Sequence, residues 1–256
     1  MQVWDHLDLV ALGTVADWVP LLGENRILVK AGIHRLSGTS KPGLKALLSK
    51  VNLTGRRVTT EDIGFLLAPR LNAMGRMGSA RGSLQLLITE DSSQVEAIVQ
   101  KMDRENKTRA ALQREALTRA IAKVEREVNF SQDRVIVIED DRWHPGVVGI
   151  VATRLTAQFH RPAVVIAFNG AFGRGSARSI QAFHLVEALE EVKEHLIEFG
   201  GHPGAAGLTI AKDQVTPFRK ALNRVAHEKI HPHMLTPSLE IDGELPLAVL
   251  TTEFMH

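Results

Sequence analysis

Gly200-Gly201-His202-Pro203-Gly204-Ala205-Ala206-Gly207 is the most telling stretch of this chain. Its glycines leave the backbone bare, so its N–H groups can meet an anion with no side chain between. His202 is the one side chain in this loop able to donate a proton or hold a phosphate. The stretch leads into Leu208-Thr209-Ile210, which reads as a strand. A tight turn ahead of a strand would use the same glycines, so the loop alone leaves both readings open.

Upstream of the loop, strands alternate with helices. Residues 134–139 are a β-branched run that predicts a buried strand. His144-Pro145-Gly146 predicts a helix opening there and running to about residue 159. Residues 163–168 and 173–179 read as two more strands, and 183–197 and 214–229 as helices. That alternation predicts an α/β domain.

Before residue 130 the pattern is helical. Residues 8–15 and 24–36 predict helices, with Pro20 stopping the first. Residues 69–81, rich in Gly, Arg and Asn, predict a loop. Ser93 and Glu96 form a capping-box pattern that opens a helix free of Pro and Gly to about residue 128. Val95, Val99, Met102 and Leu117 mark its apolar face, and Arg104, Arg109 and Arg114 belong to the charged one. A helix of ~35 residues is ~50 Å long, which suits a connector between two domains. Its charges suit a solvated face laced with ion pairs.

Composition sets the outer bounds. The 256 residues allow two domains, and 44% hydrophobic with 23% charged residues describes a soluble globular chain. No apolar run approaches the ~20 residues that span a bilayer. Met1-Gln2-Val3-Trp4-Asp5 lacks the start of a signal peptide. The lack of cysteine excludes disulfides and thiolate metal sites and fits a cytoplasmic protein. A formal charge of +2 is too small to argue for nucleic acid by itself.

Four segments, in order, carry a resemblance. Asp8-Leu9-Val10-Ala11-Leu12-Gly13-Thr14-Val15-Ala16-Asp17 resembles the fourth phosphoesterase motif of the Asp-His-His (DHH) superfamily. Gly64-Phe65-Leu66-Leu67-Ala68-Pro69-Arg70-Leu71-Asn72-Ala73-Met74-Gly75-Arg76 is similar to a segment of its RecJ-like exonuclease branch. Trp143-His144-Pro145-Gly146-Val147-Val148-Gly149 and the Gly-Gly-His loop resemble the DHH-associated substrate-binding domain, as does Gly175-Ser176-Ala177-Arg178-Ser179.

The resemblance implies an α/β chain with the tail of a DHH phosphoesterase domain at 1–90 and a connecting helix at 91–129. The DHH-associated domain follows at 130–232, and an OB-like domain begins at 233–256. It implies a single-stranded-DNA-specific 5′–3′ exonuclease of DNA repair and recombination that uses Mn²⁺ or Mg²⁺. Single-stranded DNA and a single-stranded-DNA-binding protein are the implied partners, without a membrane. The family's upstream Asp and His motifs do not occur here, so the chain reads as a fragment, inactive alone. Deprived of earlier strands, residues before about 88 should be poorly protected in hydrogen exchange.

Two rivals remain. One is a DHH-family phosphoesterase acting on short oligonucleotides or nucleotides, against which the 69–76 segment argues. The other is a non-catalytic nucleic-acid-binding module, which would have no use for the motif around Asp17.

Asp17 is the one motif carboxylate, a ligand for a hard divalent cation or else a capping or salt-bridged residue. Arg70 and Arg76 offer guanidinium forks to phosphate, or pair with Glu61 or Asp62, and the pattern does not choose between them. Ser176 and Arg178 share one face of a strand and suit a terminal phosphate. His144, at a helix N-terminus, suits an anion or a plain strand-to-helix turn. Gly200, Gly201 and His202 complete the predicted phosphate grip.

Overall fold

A computed structural model describes residues 3–239 and 241–254. Met1, Gln2 and Glu240, read above from sequence, lie outside the described residues. The chain opens with α1 (Leu7–Ala16), α2 (Gly23–Ser37) and α3 (Pro42–Lys50). A π-helical turn, Asp62–Leu67, then runs straight into α4 (Ala68–Met77), followed by α5 (Arg81–Ile88). The loop expected at 69–81 is therefore helix for most of its length. Pro69 lies inside this unbroken helical run directly after the π-helical turn, where the widened backbone accommodates a residue without an N–H.

These helices enclose a core of Leu36, Leu44, Leu47, Ile63, Leu67 and Leu86, all at most 1% exposed. Residues before 88 thus share a buried core, which α6 completes, and that core argues for more protection in hydrogen exchange than the sequence alone predicts. Asp8, 1% exposed, ties α1 to the α2–α3 connection by accepting from Thr39 Oγ1 at 2.7 Å and from Lys41 Nζ at 2.8 Å.

The long helix α6 spans Ser92–Glu127. Its N-cap is Asp91, whose carboxylate accepts from Ser93 N at 2.9 Å, rather than Ser93 itself. It does not stand free as a spacer. Val95, Val99 and Met102 belong to the first core, while Ala116, Ala120 and Val124 belong to the core of the second unit.

That second unit is a five-stranded sheet: β1 (Ile136–Asp140), β2 (Ala163–Asn169), β3 (Phe172–Arg178), β4 (Glu198–His202) and β5 (Ala205–Ala211), in the order β1-β2-β3-β5-β4. Strands β1 and β2 are parallel, joined through α7 (Pro145–Phe159), and the other pairs are antiparallel. Val164, Ile166 and Phe168 of β2 face α8 (Leu185–Glu190) and α9 (Val215–Lys229), while Ala163, Val165 and Ala167 face α6 and α7. Burial on both faces explains why β2 reads as a continuous apolar run. The helix expected over 183–197 is only the short α8 with a 3₁₀ turn at Lys193–His195. Among the described residues of 233–254 there is no strand of the expected β-rich module, only 3₁₀ turns.

Asn223 of α9 locks the start of β1. Its side chain accepts from Arg134 N at 2.7 Å and Val135 N at 2.9 Å and donates to Val135 O at 3.1 Å. Asn223→Ala leaves those buried backbone groups unpaired, so unfolding free energy should fall by about 2 kcal/mol, read by urea denaturation. An unchanged midpoint would show that water replaces the amide at no cost.

Candidate nucleic-acid interface

The open part of the second unit is one face of β3, β5 and β4, beside α7. Alternation puts Arg174, Ser176 and Arg178 on that face. Register then lines up three rows: Arg178 with Ala205 and His202, Ser176 with Gly207 and Gly200, and Arg174 with Thr209 and Glu198. The Gly-Gly-His segment is thus no loop. Gly200, Gly201 and His202 form β4, and the turn is Pro203-Gly204, held by Ser179 N and Leu185 N donating to its carbonyls at 2.9 Å each. Gly201 has a φ of +151°, and a Cβ there would strike the backbone of Ala205 and Ala206. Gly200 and Gly207 carry open space where a Cβ would stand, so the middle row is bare backbone. Gly200 lies two strands, about 10 Å, from Ser176.

Helix α7 closes the other side of this face. Its Gly149 packs on β3, where a Cβ would stand 2.9 Å from Ser176 Oγ and 3.4 Å from Arg178 Nη2. Its Gly146 receives the last turn of α4, because any Cβ there would run into the backbone carbonyl of Arg76. Two glycines on one helix therefore bring Arg76, from the helical unit, to Ser176 and Arg178 of the sheet.

Arg178 is half-buried and spends little of its donor capacity, giving Nη1 to Ala177 O at 2.8 Å and to Ser176 Oγ at 3.4 Å. Burial, then the positive charge of Arg76, lowers its pKa from the usual arginine value. Arg109, on α6, shows the same shift from the same two causes. Its Nη1 donates to Gln113 at 2.7 Å and Nη2 to Asn106 at 3.1 Å, but its buried Nε has no partner. Among the described residues no carboxylate pairs with Arg76, Arg109 or Arg178. Three guanidiniums without a counter-ion repel one another, and an anion with several oxygens relieves that repulsion through charge-assisted hydrogen bonds.

The other expected residues fall as follows. Arg70 turns inward, with Nε 3.3 Å from Asp103 and Nη1 donating to Leu66 O at 2.8 Å, so Arg76 is the arginine that reaches the site. The pairing expected with Glu61 or Asp62 does not form. His144 is the N-cap of α7, its Nδ1 accepting from Gly146 N at 3.0 Å, which leaves only Nε2 for a ligand. Asp17 is the exposed C-cap of α1, its backbone N–H donating to Gly13 O at 3.1 Å, so the capping alternative is met by the backbone. Its carboxylate has no ion-pair or side-chain hydrogen-bond partner among the described residues, and the helix dipole disfavours a negative charge there, so the salt-bridged alternative is not met. The described residues hold no group of three or more His, Cys, Asp or Glu placed to share a metal ion. Arg109 was missed because its helix reads as solvated.

Residues 132–228, which include β1 to β5, α7, α8 and all but the last residue of α9, match the DHHA1 domain family. They are a DHHA1 domain. The single-stranded-DNA-specific exonuclease RecJ of Bacillus subtilis is 40% identical to the chain over 249 residues, 96% of this chain and 31% of that protein. RecJ of Escherichia coli is 36% identical over 256 residues, 96% of this chain and 44% of that protein. A crystal structure of RecJ from Thermus thermophilus in complex with Mg²⁺ superposes with a TM-score of 0.79 at 34% identity, covering 88% of this chain and 35% of that one. One of exonuclease RecJ bound to manganese gives 0.75, covering 88% and 55%. Across nearly its whole length, DHHA1 domain and helical unit alike, the chain is homologous to RecJ. It spans between about a third and a half of the length of these curated relatives.

Proposed function

We propose that this chain grips the phosphate end of a single DNA strand between its helical unit and its DHHA1 domain, as part of a metal-dependent 5′–3′ exonuclease. The observation that carries the reading is the cluster of Arg76, Arg109 and Arg178 beside Ser176, drawn from both units and without a carboxylate. The bare row of Gly200 and Gly207 offers the strand a path, and His202 stands one row away beside Arg178. The names of the relatives support single-stranded DNA as substrate, and the Mg²⁺ and Mn²⁺ in solved RecJ structures support those ions as cofactors.

In this reading Asp17 is one metal ligand. A hard cation takes about six oxygen ligands, so Asp17 alone does not complete a centre, and the remaining ligands come from parts of the longer relatives that this chain does not span. The bound ions would supply an activated water and neutralise the leaving oxygen. This chain's share is to hold and orient the strand. The same reading divides the chain at about residues 90 and 130, with α6 as the shared element. It also sets the protein among the DNA repair and recombination enzymes of the cytoplasm, with a single-stranded-DNA-binding protein as a partner. No helix is long and apolar enough to cross a membrane.

A binding titration tests the grip. One strand carrying either a 5′-phosphate or a 5′-hydroxyl is compared by fluorescence anisotropy. The phosphate form should bind about tenfold tighter, since hydrogen bonds between charged groups contribute ~1.5–3 kcal/mol, and Arg109→Ala should erase most of that advantage. Equal affinity of the wild-type chain for both strands would overturn the proposal.

A further inference from the structure

We propose that the open sheet face continues past the phosphate grip into a nucleobase subsite built by Phe172, Arg174 and Glu198. The inference rests on the reading of Ser176 and Arg178 as that grip, and adds a contact to a base.

Phe172, Arg174, Ser176 and Arg178 alternate along β3 and so share the open face. Two adjoining hollows lie on it. One, of ≈ 520 Å³, is floored by Gly200, Gly207 and Thr209, and the other, of ≈ 670 Å³, is walled by Phe172, Ile197, Asn169 and Pro145. Arg174, Glu198 and Thr209 line both, which makes them one trough. Phe172 is 57% exposed and Ile197 53%, so two large apolar side chains stand uncovered at its wall. Arg174 is exposed and has no hydrogen-bond or ion-pair partner among the described residues. Nothing in the fold of the domain calls for this combination.

A nucleotide calls for all of it. The face of Phe172 stacks on any base, and Arg174 neutralises the phosphate that accompanies it. Glu198 can only accept hydrogen bonds, so it suits the exocyclic amine of cytosine, adenine or guanine, which thymine lacks. Arg174 and Arg178 are four residues apart on β3, about 13 Å. A strand whose end phosphate sits at Arg178 therefore lays a base a few nucleotides further along on Phe172.

The test is anisotropy with a 5′-phosphorylated, 3′-labelled thymidine strand, compared with copies in which one nucleotide at a time is abasic or replaced by dC. Phe172→Ala should weaken binding of the intact strand about tenfold and leave the copy abasic at the contacted position unaffected. At that same position dC should bind severalfold tighter than thymidine, and Glu198→Ala should remove the difference. If Arg178→Ala weakens binding while Phe172→Ala does not, the subsite is wrong and the grip stands. If Phe172→Ala weakens every abasic copy equally, the side chain acts through the fold and the subsite is equally wrong. If Arg178→Ala binds as wild type, the grip itself falls.

Discussion

Arg178→Ala should weaken binding of 5′-phosphorylated single-stranded DNA about a hundredfold at low salt, the largest single effect expected on this surface. Truncating one side of a desolvated, hydrogen-bonded charge pair costs ~2–5 kcal/mol, and a hundredfold in Kd is ~2.7 kcal/mol. The removed side chain is half-buried between α7 and β3, and its charge already competes with Arg76. Arg178→Lys should recover only part of the affinity, because an ammonium keeps the charge but not the planar fork. The slope of log affinity against log salt should flatten by roughly 0.7 for each phosphate that is no longer neutralised. An anisotropy titration reads both, and wild-type affinity for the alanine variant would refute the grip.

The second large effect concerns stability. Asp103 is 5% exposed on α6 and lies 3.0 Å from Lys107, 3.3 Å from Arg70 and 3.6 Å from Lys50. It joins α3, α4 and α6 through one carboxylate. Asp103→Ala leaves Arg70 and Lys50 partly buried without their counter-charge, so the helical unit should lose about 3 kcal/mol, with Tm falling on the order of 10 °C. Burial pushes this carboxyl up, but the Lys107 hydrogen bond, then the charges of Lys107, Lys50 and Arg70, hold it below the usual range. Its stabilisation is therefore complete above the unfolded value of about 4 and is lost as pH falls through the lower folded one. The variant's stability should accordingly depend less on pH in that acid range than the wild type's. Thermal unfolding followed across pH checks this, and superposable curves for the two proteins would sink it.

The alternating pattern after residue 130 was plain in the sequence because β2 and α9 carry their signals locally. The glycine-rich strands were not. Gly200, Gly201 and His202 have no strand propensity, and β4 exists because β5 lies beside it, a pairing that composition does not announce. Reading 69–81 as a loop had a further cost. On a loop Arg70 and Arg76 are equivalent, whereas on a helix six positions turn them about 120° apart, one inward to Asp103 and one out to Arg178. Arg109 was legible in principle. It stands seven residues after Met102 and seven before Ala116, both buried, so it breaks an apolar stripe rather than joining the wet face. Arg76, Ser176 and Arg178 of the proposed grip were named from the sequence, but their meeting across two units depends on Gly146 and Gly149, whose role only packing reveals.

Helix α6 has its first turns in one core and its last turns in the other, with Arg109 in between. That arrangement makes its length indivisible. One residue inserted or deleted between Met102 and Ala116 would rotate one core against the other by about 100° and shift it by about 1.5 Å. A heptad would restore the facing of the two units but would set Arg76 about 10 Å away from Arg178. A remote exposed loop such as 54–57 can grow or shrink without touching the proposed grip. This segment has no such freedom, and it acts as a gauge that fixes the width of the proposed grip.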